Sequence, residues 1–335
     1  MNQNLLTQYG LNEKILSSKR EGFELARIID QQKNLYTLVT DEGFHQAQIS
    51  GKMIYEAESF SDYPVVGDFV EIKEEDPLII IHRILPRWSL LERKTAGITT
   101  EGQMIASNID TVFICMSMNE NYNLRRLERY LSVVFASQAD PVVLLTKSDL
   151  TDDYELLKND VAKIAMNVKV VTSSSVSDHG YSEIKSLLEQ GKTYAFIGSS
   201  GVGKSTLVNA LLGEEILRTH EVGKMAKGRH TTTSRSLKLT PEGYIIIDTP
   251  GMRELQLDQA DFENSFQDIE TIALSCRFND CSHTLEPGCA VLHAIEENRL
   301  SPERLNNFQK IKKEAQYQLT KKSKMPSVNV KKYRR

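Results

Sequence analysis

The chain lacks the long hydrophobic runs that membrane proteins need. No apolar stretch among its 335 residues approaches the roughly 18–20 residues that span a bilayer. Cysteine is also scarce, and four cysteines in a chain of this length do not make a disulfide scaffold. The first twenty residues contain neither an apolar core of roughly 7–15 residues nor a small-residue cleavage site, so they do not read as a secretory signal. These absences predict a cytoplasmic protein.

The overall composition is that of a globular protein, with 40% hydrophobic and 26% charged residues, which excludes a mainly disordered or fibrous chain. The length predicts about two or three domains. Charge is unevenly distributed, because residues 304–335 carry 11 Lys and Arg against one acidic residue, whereas the remainder carries 30 basic and 44 acidic residues. A basic tail on an acidic body suggests nucleic acid or an anionic surface as a partner, although a solvated terminus explains the charge equally well.

Residues from about 21 to 90 are rich in β-branched and aromatic residues with partial alternation, which is typical of short strands. Turn signals separate five such segments: FELARII, NLYTLVT, FHQAQIS, GDFVEI and LIIIHRI. Five strands in so short a stretch predict a small closed barrel, since an open sheet would leave its edges exposed. An OB-type barrel, which often binds oligonucleotides, is the first interpretation. An SH3-like barrel and a simple packing module are the alternatives.

From about residue 108 onwards, buried strands alternate with amphipathic helices. Residues 110–118 and 141–145 form nearly continuous apolar runs, and residues 123–138 carry apolar side chains at helical spacing. Further helices are predicted near residues 152–166 and 180–190. The alternation predicts a parallel sheet with helices on both faces, whose ligands gather at the C-terminal strand ends.

A phosphate-binding loop is predicted where the sequence GSSGVGKS matches G-x-x-x-x-G-K-[ST] between an apolar strand and a helical stretch. Glycines let successive backbone N–H groups face one anion, and the helix N-terminus adds a positive dipole. We expect Lys204 to reach the β- and γ-phosphates and the Ser205 hydroxyl to ligate Mg²⁺. A Gly/Ser-rich turn with a chance lysine is the alternative, which the flanking strand and helix disfavour. The predicted nucleotide-binding residues of the loop are Gly198, Ser199, Ser200, Gly201, Val202, Gly203, Lys204, Ser205 and Thr206.

A second phosphate-sensing element is the sequence DTPG at residues 248–251, which ends another apolar strand. Asp248 is placed to hold Mg²⁺ through water, and the Gly251 N–H is placed to bond the γ-phosphate. Alone, D-x-x-G is usually a turn. Downstream of a phosphate loop and an intervening polar segment, it strongly indicates an element that contacts Mg²⁺ and the γ-phosphate.

The sequence TKSD, comprising Thr146, Lys147, Ser148 and Asp149, resembles the [NT]-K-x-D motif that reads a nucleotide base. A carboxylate at Asp149 can accept hydrogen bonds from the ring N–H and the exocyclic amine of guanine, a pair that adenine does not offer. Lys147 is expected to lie across the purine face. The segment 172–174, which includes Ser173 and Ser174, ends the next strand. It is placed so that a backbone N–H can contact the base. The predicted ligand is therefore GTP or GDP.

The order of these elements is a circular permutation, because base reading precedes the phosphate loop and D-x-x-G along the chain. In most GTPases the phosphate loop comes first. All these elements are loops at one edge of the sheet, so rejoining the chain elsewhere can leave the pocket unchanged.

Residues 224–236 (KMAKGRHTTTSRS) are predicted to form a switch in which Thr231 closes over Mg²⁺ and the γ-phosphate, with Thr232 and Thr233 as alternatives. An ordinary polar loop is the competing interpretation. Met252 stands where a glutamine commonly orients the attacking water, so hydrolysis is slow or another group supplies this function. His230 is one candidate, and a group from a bound partner is another. The predicted catalytic residues are His230, Thr231 and Gly251.

A cysteine cluster follows with the pattern C-x4-C-x-H-x5-C, formed by Cys276, Cys281, His283 and Cys289. Three thiolates and one imidazole suit a closed tetrahedral Zn²⁺ site, which leaves no position for a reacting water and is therefore structural. Free thiols in a loop are the alternative. The remaining cysteine, Cys115, lies inside a predicted buried strand and is expected to be a core residue.

Together, TKSD, GSSGVGKST, GRHTTT, DTPG and the cysteine pattern, in that order behind a small β-barrel, resemble the RsgA (YjeQ/YloQ) GTPases of small ribosomal subunit biogenesis. The resemblance implies an N-terminal OB-type β-barrel, a central circularly permuted α/β P-loop GTPase domain and a C-terminal, mainly helical zinc-binding domain. The corresponding ranges are an extension at 1–20 and domains at 21–95, 96–255 and 256–335.

The same resemblance implies GTP, Mg²⁺ and one structural Zn²⁺ as cofactors, and hydrolysis stimulated by the small ribosomal subunit during its late maturation. It implies rRNA contact, no membrane and a monomer. A hydrophobic residue after D-x-x-G is a feature of this class and matches Met252, and the switch histidine proposed there as catalytic matches His230. The departure is TKSD where many members carry NKxD, and Thr146 can still make the supporting hydrogen bonds.

Two rival functions use the same phosphate loop. One is a small-molecule kinase or ATPase, which base choice distinguishes from a GTPase. The other is a non-catalytic RNA chaperone in which nucleotide is only structural, which turnover measurements distinguish.

Overall fold

The structure, a computed structural model, describes most of the chain. The described residues are 4–32, 35–76, 78–93, 103–177, 180–213, 236–248, 266–278, 280–297, 299–302, 304–309 and 312. Within them, no helix is long and apolar enough to cross a membrane.

Five strands form the predicted N-terminal barrel: β1 (Glu24–Gln32), β2 (Leu35–Val39), β3 (Phe44–Ile49), β4 (Phe69–Glu75) and β5 (Leu78–Ile84). They pair in the order β1-β2-β3-β5-β4, and β4 closes the circle by pairing with β1. Strands β3 and β5 are parallel, and helix α3 (Gly51–Glu56) connects β3 to β4. This closed five-stranded path is the OB-type topology, so the OB interpretation is confirmed over the SH3-like alternative.

The N-terminal residues belong to the packed structure. Two short helices, α1 (Leu5–Gln8) and α2 (Glu13–Ser17), place Leu6 and Ile15 in the main hydrophobic core. The fully buried Arg27 of β1 donates hydrogen bonds to the carbonyls of Tyr9, Gly67 and Asn108 and to the Thr193 hydroxyl. One guanidinium therefore fastens the N-terminal helices and the barrel to the domain that follows.

A second ionic cluster stabilises the barrel wall. The buried Glu71 of β4 accepts hydrogen bonds from the Arg20 side chain at 2.6 Å and from Arg83 at 2.6 and 2.9 Å. Burial alone would raise the pKa of Glu71, but the Arg83 and Arg20 hydrogen bonds outweigh it and lower the pKa to about 2. The folded protein therefore stabilises the ionised form of the Glu71 carboxyl group.

We expect Glu71→Gln to lower the free energy of unfolding by about 3 kcal/mol at pH 7, the value that corresponds to a pKa of about 2 in the fold against 4.5 in the unfolded chain. Because the folded pKa is lowered, the wild-type advantage exists above pH 4.5 and disappears as the pH falls through 2. Urea unfolding at several pH values measures it. Glu75→Gln on the same strand is the control, since its side chain is half exposed and should matter by less than about 0.5 kcal/mol. A constant difference down to pH 2 would contradict this assignment.

The central domain is built on a mainly parallel sheet in the order β10-β9-β8-β11-β13-β12, with β12 antiparallel at its end. Its strands are β8 (Thr111–Ser117), β9 (Asp140–Thr146), β10 (Lys169–Ser173), β11 (Thr193–Gly198), β12 (Ser236–Leu239) and β13 (Ile245–Asp248). Asp30 of β1 pairs with Ser236, so the barrel and this sheet are hydrogen-bonded into one. A separate hairpin, β6 (Leu90–Arg93) and β7 (Gln103–Ser107), precedes it.

Helices cover both faces of this sheet, as the alternation predicts. Along β8, Val112, Ile114 and Met116 belong to the core cluster that includes α4, whereas Phe113 and Cys115 belong to the cluster that includes α7. The helices are α4 (Leu124–Ala136), α5 (Tyr154–Ile164), α6 (Ser182–Lys185) and α7 (Lys204–Leu212). The predicted helix near 180–190 is only the four residues of α6, because the sequence passes into turns before β11.

The C-terminal region, meaning the described residues from 266 onwards, is mainly helical as predicted. It contains α8 (Gln267–Ala273), α9 (Ala290–Glu296) and helical residues at 302 and 304–309. Phe266 and Phe308 pack edge to face with ring centroids 5.5 Å apart, and both belong to the core cluster that includes α4.

Candidate functional site

The predicted nucleotide-binding loops meet at one edge of the central sheet. In the strand register Thr146 lies opposite both Ser117 and Ser173, and Gly198 lies opposite Cys115. Asp248 is the last residue of β13, which pairs in parallel with β11. The C-terminal ends of β10, β9, β8, β11 and β13 therefore converge, whatever their order along the chain.

The phosphate loop has backbone angles that only glycine adopts readily. Gly198, Gly201 and Gly203 have φ values of 145°, 80° and 97°. A Cβ on Gly198 would lie 2.3 Å from the Cys115 carbonyl oxygen, so this position also requires glycine for strand packing. Helix α7 begins immediately after Gly203, and its first residues are Lys204, Ser205 and Thr206. The loop therefore presents the N-terminus of a nine-residue helix, which favours an anion.

The ammonium group of Lys204 lies over this loop. Its Nζ donates to the carbonyl oxygens of Gly198 and Ser199, each at 2.7 Å. The nearby Cys115 thiol is buried, and burial raises its pKa to about 12, with the Lys204 charge opposing the rise. Cys115 is therefore a neutral core residue.

The TKSD segment is braced against both neighbouring loops. The Thr146 hydroxyl donates to the Val202 carbonyl at 2.6 Å, and the Ser148 hydroxyl donates to the Ser173 carbonyl at 3.3 Å. Lys147 has a left-handed backbone with φ 57°, which turns the chain into a short 3₁₀ turn containing the exposed Asp149. This turn places the Asp149 carboxylate at the rim of the convergent edge.

Ser174 has a contact that the sequence did not indicate. Its hydroxyl donates to Asp149 Oδ1 at 2.5 Å, whereas we predicted only a backbone N–H toward the base. Such a bond fixes the orientation of a carboxylate that must accept two parallel hydrogen bonds, so Ser174 can position the base-reading group. Ser173 contributes through its carbonyl oxygen.

Asn121, which follows β8, is a site residue that motif reasoning missed. Its side-chain amide accepts a hydrogen bond from the Ser199 hydroxyl and donates one to the Ser200 carbonyl, both at 3.2 Å. Arg126 in turn donates to the same amide oxygen at 2.8 Å. No sequence motif marks this asparagine. Only its place after a strand that ends at this edge could have pointed to it.

The predicted catalytic residues lie outside the described part of the chain. His230, Thr231 and Gly251 fall in the segments 214–235 and 249–265, and for Asp248 the structure describes the backbone but not the side chain. Their roles therefore stay predictions.

The four predicted zinc ligands are brought together in the C-terminal region. The Sγ atoms of Cys276, Cys281 and Cys289 and a ring nitrogen of His283 all lie within 4.8 Å of one another. The Cys276 and Cys289 sulfurs are 3.9 Å apart, and His283 Nδ1 is 3.6 and 3.4 Å from them. Tetrahedral zinc with bonds of about 2.3 Å to sulfur and 2.0 Å to nitrogen separates its ligands by about 3.5 to 3.8 Å, which is close to these three distances, so the cluster fits this ion.

Surrounding groups hold the ligands in place. Burial lowers the pKa of His283, and the Lys312 ammonium adds to the effect, so the imidazole is held in the neutral form that binds metal. The Cys289 sulfur accepts a hydrogen bond from the Leu292 N–H at the start of α9. Gln309 donates to the His283 carbonyl at 3.0 Å. Such outer contacts orient metal ligands.

Comparison with known proteins agrees with this geometry. A family model described as RsgA GTPase matches residues 84–258, and one described as 50S ribosome-binding GTPase matches residues 193–324. The small ribosomal subunit biogenesis GTPase RsgA 2 of Lactiplantibacillus plantarum is 45% identical over 317 residues, which are 93% of this chain and 90% of the relative. RsgA of Methanosarcina acetivorans is 40% identical over 345 residues, covering 97% and 92%.

Solved structures show the same architecture. YjeQ from Thermotoga maritima matches with a TM-score of 0.66 at 25% identity, covering 88% of this chain and 98% of that one. YloQ, described as a circularly permuted GTPase, matches with a TM-score of 0.61 at 25% identity, covering 91% and 97%. The barrel, the permuted nucleotide-binding domain and the cysteine cluster thus recur together.

Proposed function

The chain belongs to the RsgA GTPase family and is a GTP hydrolase, and on this premise we propose that it acts in the late maturation of the small ribosomal subunit, which stimulates its hydrolysis of GTP. The observation that carries the proposal is the convergence of TKSD, the phosphate loop and the end of β13 at one sheet edge. The names of its relatives indicate the small subunit as the particle. An assembly factor of this kind works where bacterial ribosomes are assembled, in the cytoplasm.

Different residues of the described part of the chain bind the base and the phosphates of the nucleotide. Asp149, positioned by Ser174, reads guanine, and Lys147 lies against the purine. The backbone N–H groups of residues 199–204 and the Lys204 ammonium neutralise the phosphates as the bond between the γ-phosphorus and the bridging oxygen breaks. The donor set of Ser205, Asp248 and Thr231 suits Mg²⁺, which when bound neutralises charge on the β- and γ-phosphates.

The remaining step, attack of water on the γ-phosphorus, needs a group that orients the water, and Met252 cannot do this. We assign the role to His230, with the Gly251 N–H bonding the γ-phosphate. His230 lies in the segment of sequence between α7 and β12, and we infer that a bound particle brings it into place. Slow hydrolysis alone and fast hydrolysis on the particle follow from this arrangement.

The other two domains supply the contact with the particle. The OB-type barrel is of a class that often binds oligonucleotides, and the strongly basic residues 304–335 favour rRNA phosphates. One Zn²⁺ held by the four cysteine and histidine ligands stabilises the C-terminal region. We take the protein to act as a monomer, with these two regions contacting rRNA on either side of the GTPase domain.

We expect purified small subunits to raise GTP turnover by at least about tenfold, and large subunits to leave it unchanged. His230→Ala should lose about 100-fold of the stimulated rate, the usual contribution of a positioned general base, while GDP affinity stays at the wild-type value. Phosphate release under multiple-turnover conditions measures the rate.

His220→Ala, another histidine of the same segment, is the matched control and should retain stimulation. Equal stimulation by large subunits, for which one family description gives a precedent, would reverse the choice of particle. Full stimulation of His230→Ala would remove this residue from the mechanism.

A further inference from the structure

The first two turns of helix α4 contact both the residues that hold the phosphate loop and the C-terminal region. Just before the helix, the Asn121 amide contacts the Ser199 hydroxyl and the Ser200 carbonyl, and Arg126 of α4 donates to the same amide. The helix itself starts at a capped position, because the Asn123 side chain accepts from the Arg126 N–H at 3.0 Å. The loop that should hold the phosphates is thus fastened to the first turn of α4.

Two residues beyond Arg126 along α4, Glu128 contributes a buried acid to the contact with the C-terminal region. Glu128 is 2% exposed, and its carboxylate accepts hydrogen bonds from Arg304 and, at 2.8 Å, from Asn307. Arg304 also forms a two-point pair with Asp268 of α8 at 2.7 and 2.9 Å. A buried charge that loses its partner is strongly destabilising, so this joint resists separation of α4 from the C-terminal region.

The same C-terminal segment reaches the cysteine cluster. Gln309, in the same helical stretch as Arg304 and Asn307, donates to the carbonyls of His283 and Ser282 at 3.0 and 3.2 Å. Phe308 packs 6.3 Å from the His283 ring. Contacts therefore lead from the phosphate loop, through the first two turns of α4 and residues 304–309, to the backbone of the predicted zinc ligand His283.

We propose that the first two turns of α4 couple the phosphate loop to the C-terminal region, with Asn121 as a positioning residue for the loop and the Glu128–Arg304 contact as the joint to the C-terminal region. Movement of the loop on nucleotide binding then shifts α4 and its buried partners as one body. By linkage, a change at the Glu128 joint alters nucleotide affinity. The proposal rests on nucleotide binding at the phosphate loop and is independent of the particle that stimulates hydrolysis.

Asn121→Ala should weaken GDP binding and raise the KM for GTP about fivefold, while kcat at saturating GTP changes less than twofold. A merely structural role would instead lower the active fraction, and so kcat, with KM unchanged. Glu120→Ala is the matched control, because it changes the exposed residue next to Asn121, and the Glu120 side chain has no hydrogen bond to the described part of the phosphate loop. Unchanged KM in Asn121→Ala, or an equal rise in Glu120→Ala, would overturn the assignment of Asn121.

The coupling itself is tested on GDP affinity by a double-mutant cycle. Glu128→Gln should weaken GDP binding about threefold in wild type and have no further effect in Asn121→Ala. Glu297→Gln, which breaks an exposed pair with Arg299 in the same region, should leave affinity unchanged. Independent effects of the Asn121 and Glu128 changes, multiplying in the double variant, would overturn the coupling.

Amide hydrogen exchange of the wild-type protein tests the coupling without relying on variants that could misfold. Saturating GDP should slow amide hydrogen exchange in residues 267–273 and 304–309, which lie outside the predicted nucleotide-binding loops, and the slowing should be absent in zinc-loaded Glu128→Gln. If GDP did not change the exchange rate of these residues in wild type, the coupling would be refuted, even if particle-stimulated hydrolysis were confirmed.

Discussion

Asp149→Asn should exchange the base preference from guanine to xanthine, with GDP affinity falling by about 10³-fold or more and xanthosine diphosphate becoming the tighter ligand. The Asp149 carboxylate is exposed at the convergent edge and is held by the Ser174 hydroxyl. In this position it accepts hydrogen bonds from two guanine donors, whereas an asparagine offers one acceptor and one donor. Xanthine presents a carbonyl in place of the exocyclic amine and matches asparagine. Sites that hydrogen-bond a ligand directly discriminate by roughly 10⁴–10⁵, so the expected loss is large.

The measurement is equilibrium titration with fluorescent GDP and xanthosine diphosphate. Asp152→Asn, an exposed acid three residues further along, is the matched control and should change neither affinity. Ser174→Ala should weaken GDP about tenfold without changing base preference, because it loosens the carboxylate but leaves its charge. An Asp149→Asn variant that still prefers GDP would show that TKSD does not read the base, and the convergence of loops would then need another explanation.

The nucleotide site could be predicted because its motifs are placed by strand ends. A parallel sheet brings the C-terminal ends of its strands to one edge, so TKSD after β9 and the glycine loop after β11 had to meet, despite their permuted order. The barrel was predictable for a similar reason, since alternating residues between turn signals fix short strands. The choice between OB and SH3-like topology needed the parallel β3–β5 pairing, which is a long-range contact.

The remaining contacts depend on which distant segments the fold brings together. Nothing near Arg27 in sequence indicates that its guanidinium reaches Thr193, 166 positions away. The Glu128–Arg304 pair likewise joins residues 176 apart. The N-terminal residues appeared to be an extension, yet Leu6 and Ile15 are in the core, because two four- to five-residue helices are too short to show a hydrophobic period.

Zinc removal is the second change with a large expected effect. Cys289→Ser should lower bound zinc from one ion per chain to near zero and unfold the C-terminal region, because a structural zinc ion contributes on the order of 10 kcal/mol. The substitution isolates the metal, since a serine hydroxyl can still accept the Leu292 N–H that the Cys289 sulfur accepts at the start of α9. Zinc content by atomic absorption and hydrogen exchange over residues 267–309 measure the two effects.

Cys115→Ala is the matched control, because it removes the cysteine that lies in β8 outside the cluster and should leave one zinc per chain even if it lowers stability. The GTPase sheet has its own core around Phe113, Phe196 and Leu207, so β8 and β11 should stay protected from exchange when zinc is lost. The Glu128–Arg304 joint should open, since Arg304 lies in the region that unfolds. A chelator-treated wild type that keeps residues 267–309 protected would show that the four ligands pack adequately as a hydrogen-bonded thiol cluster, and that zinc is not what holds this region against α4.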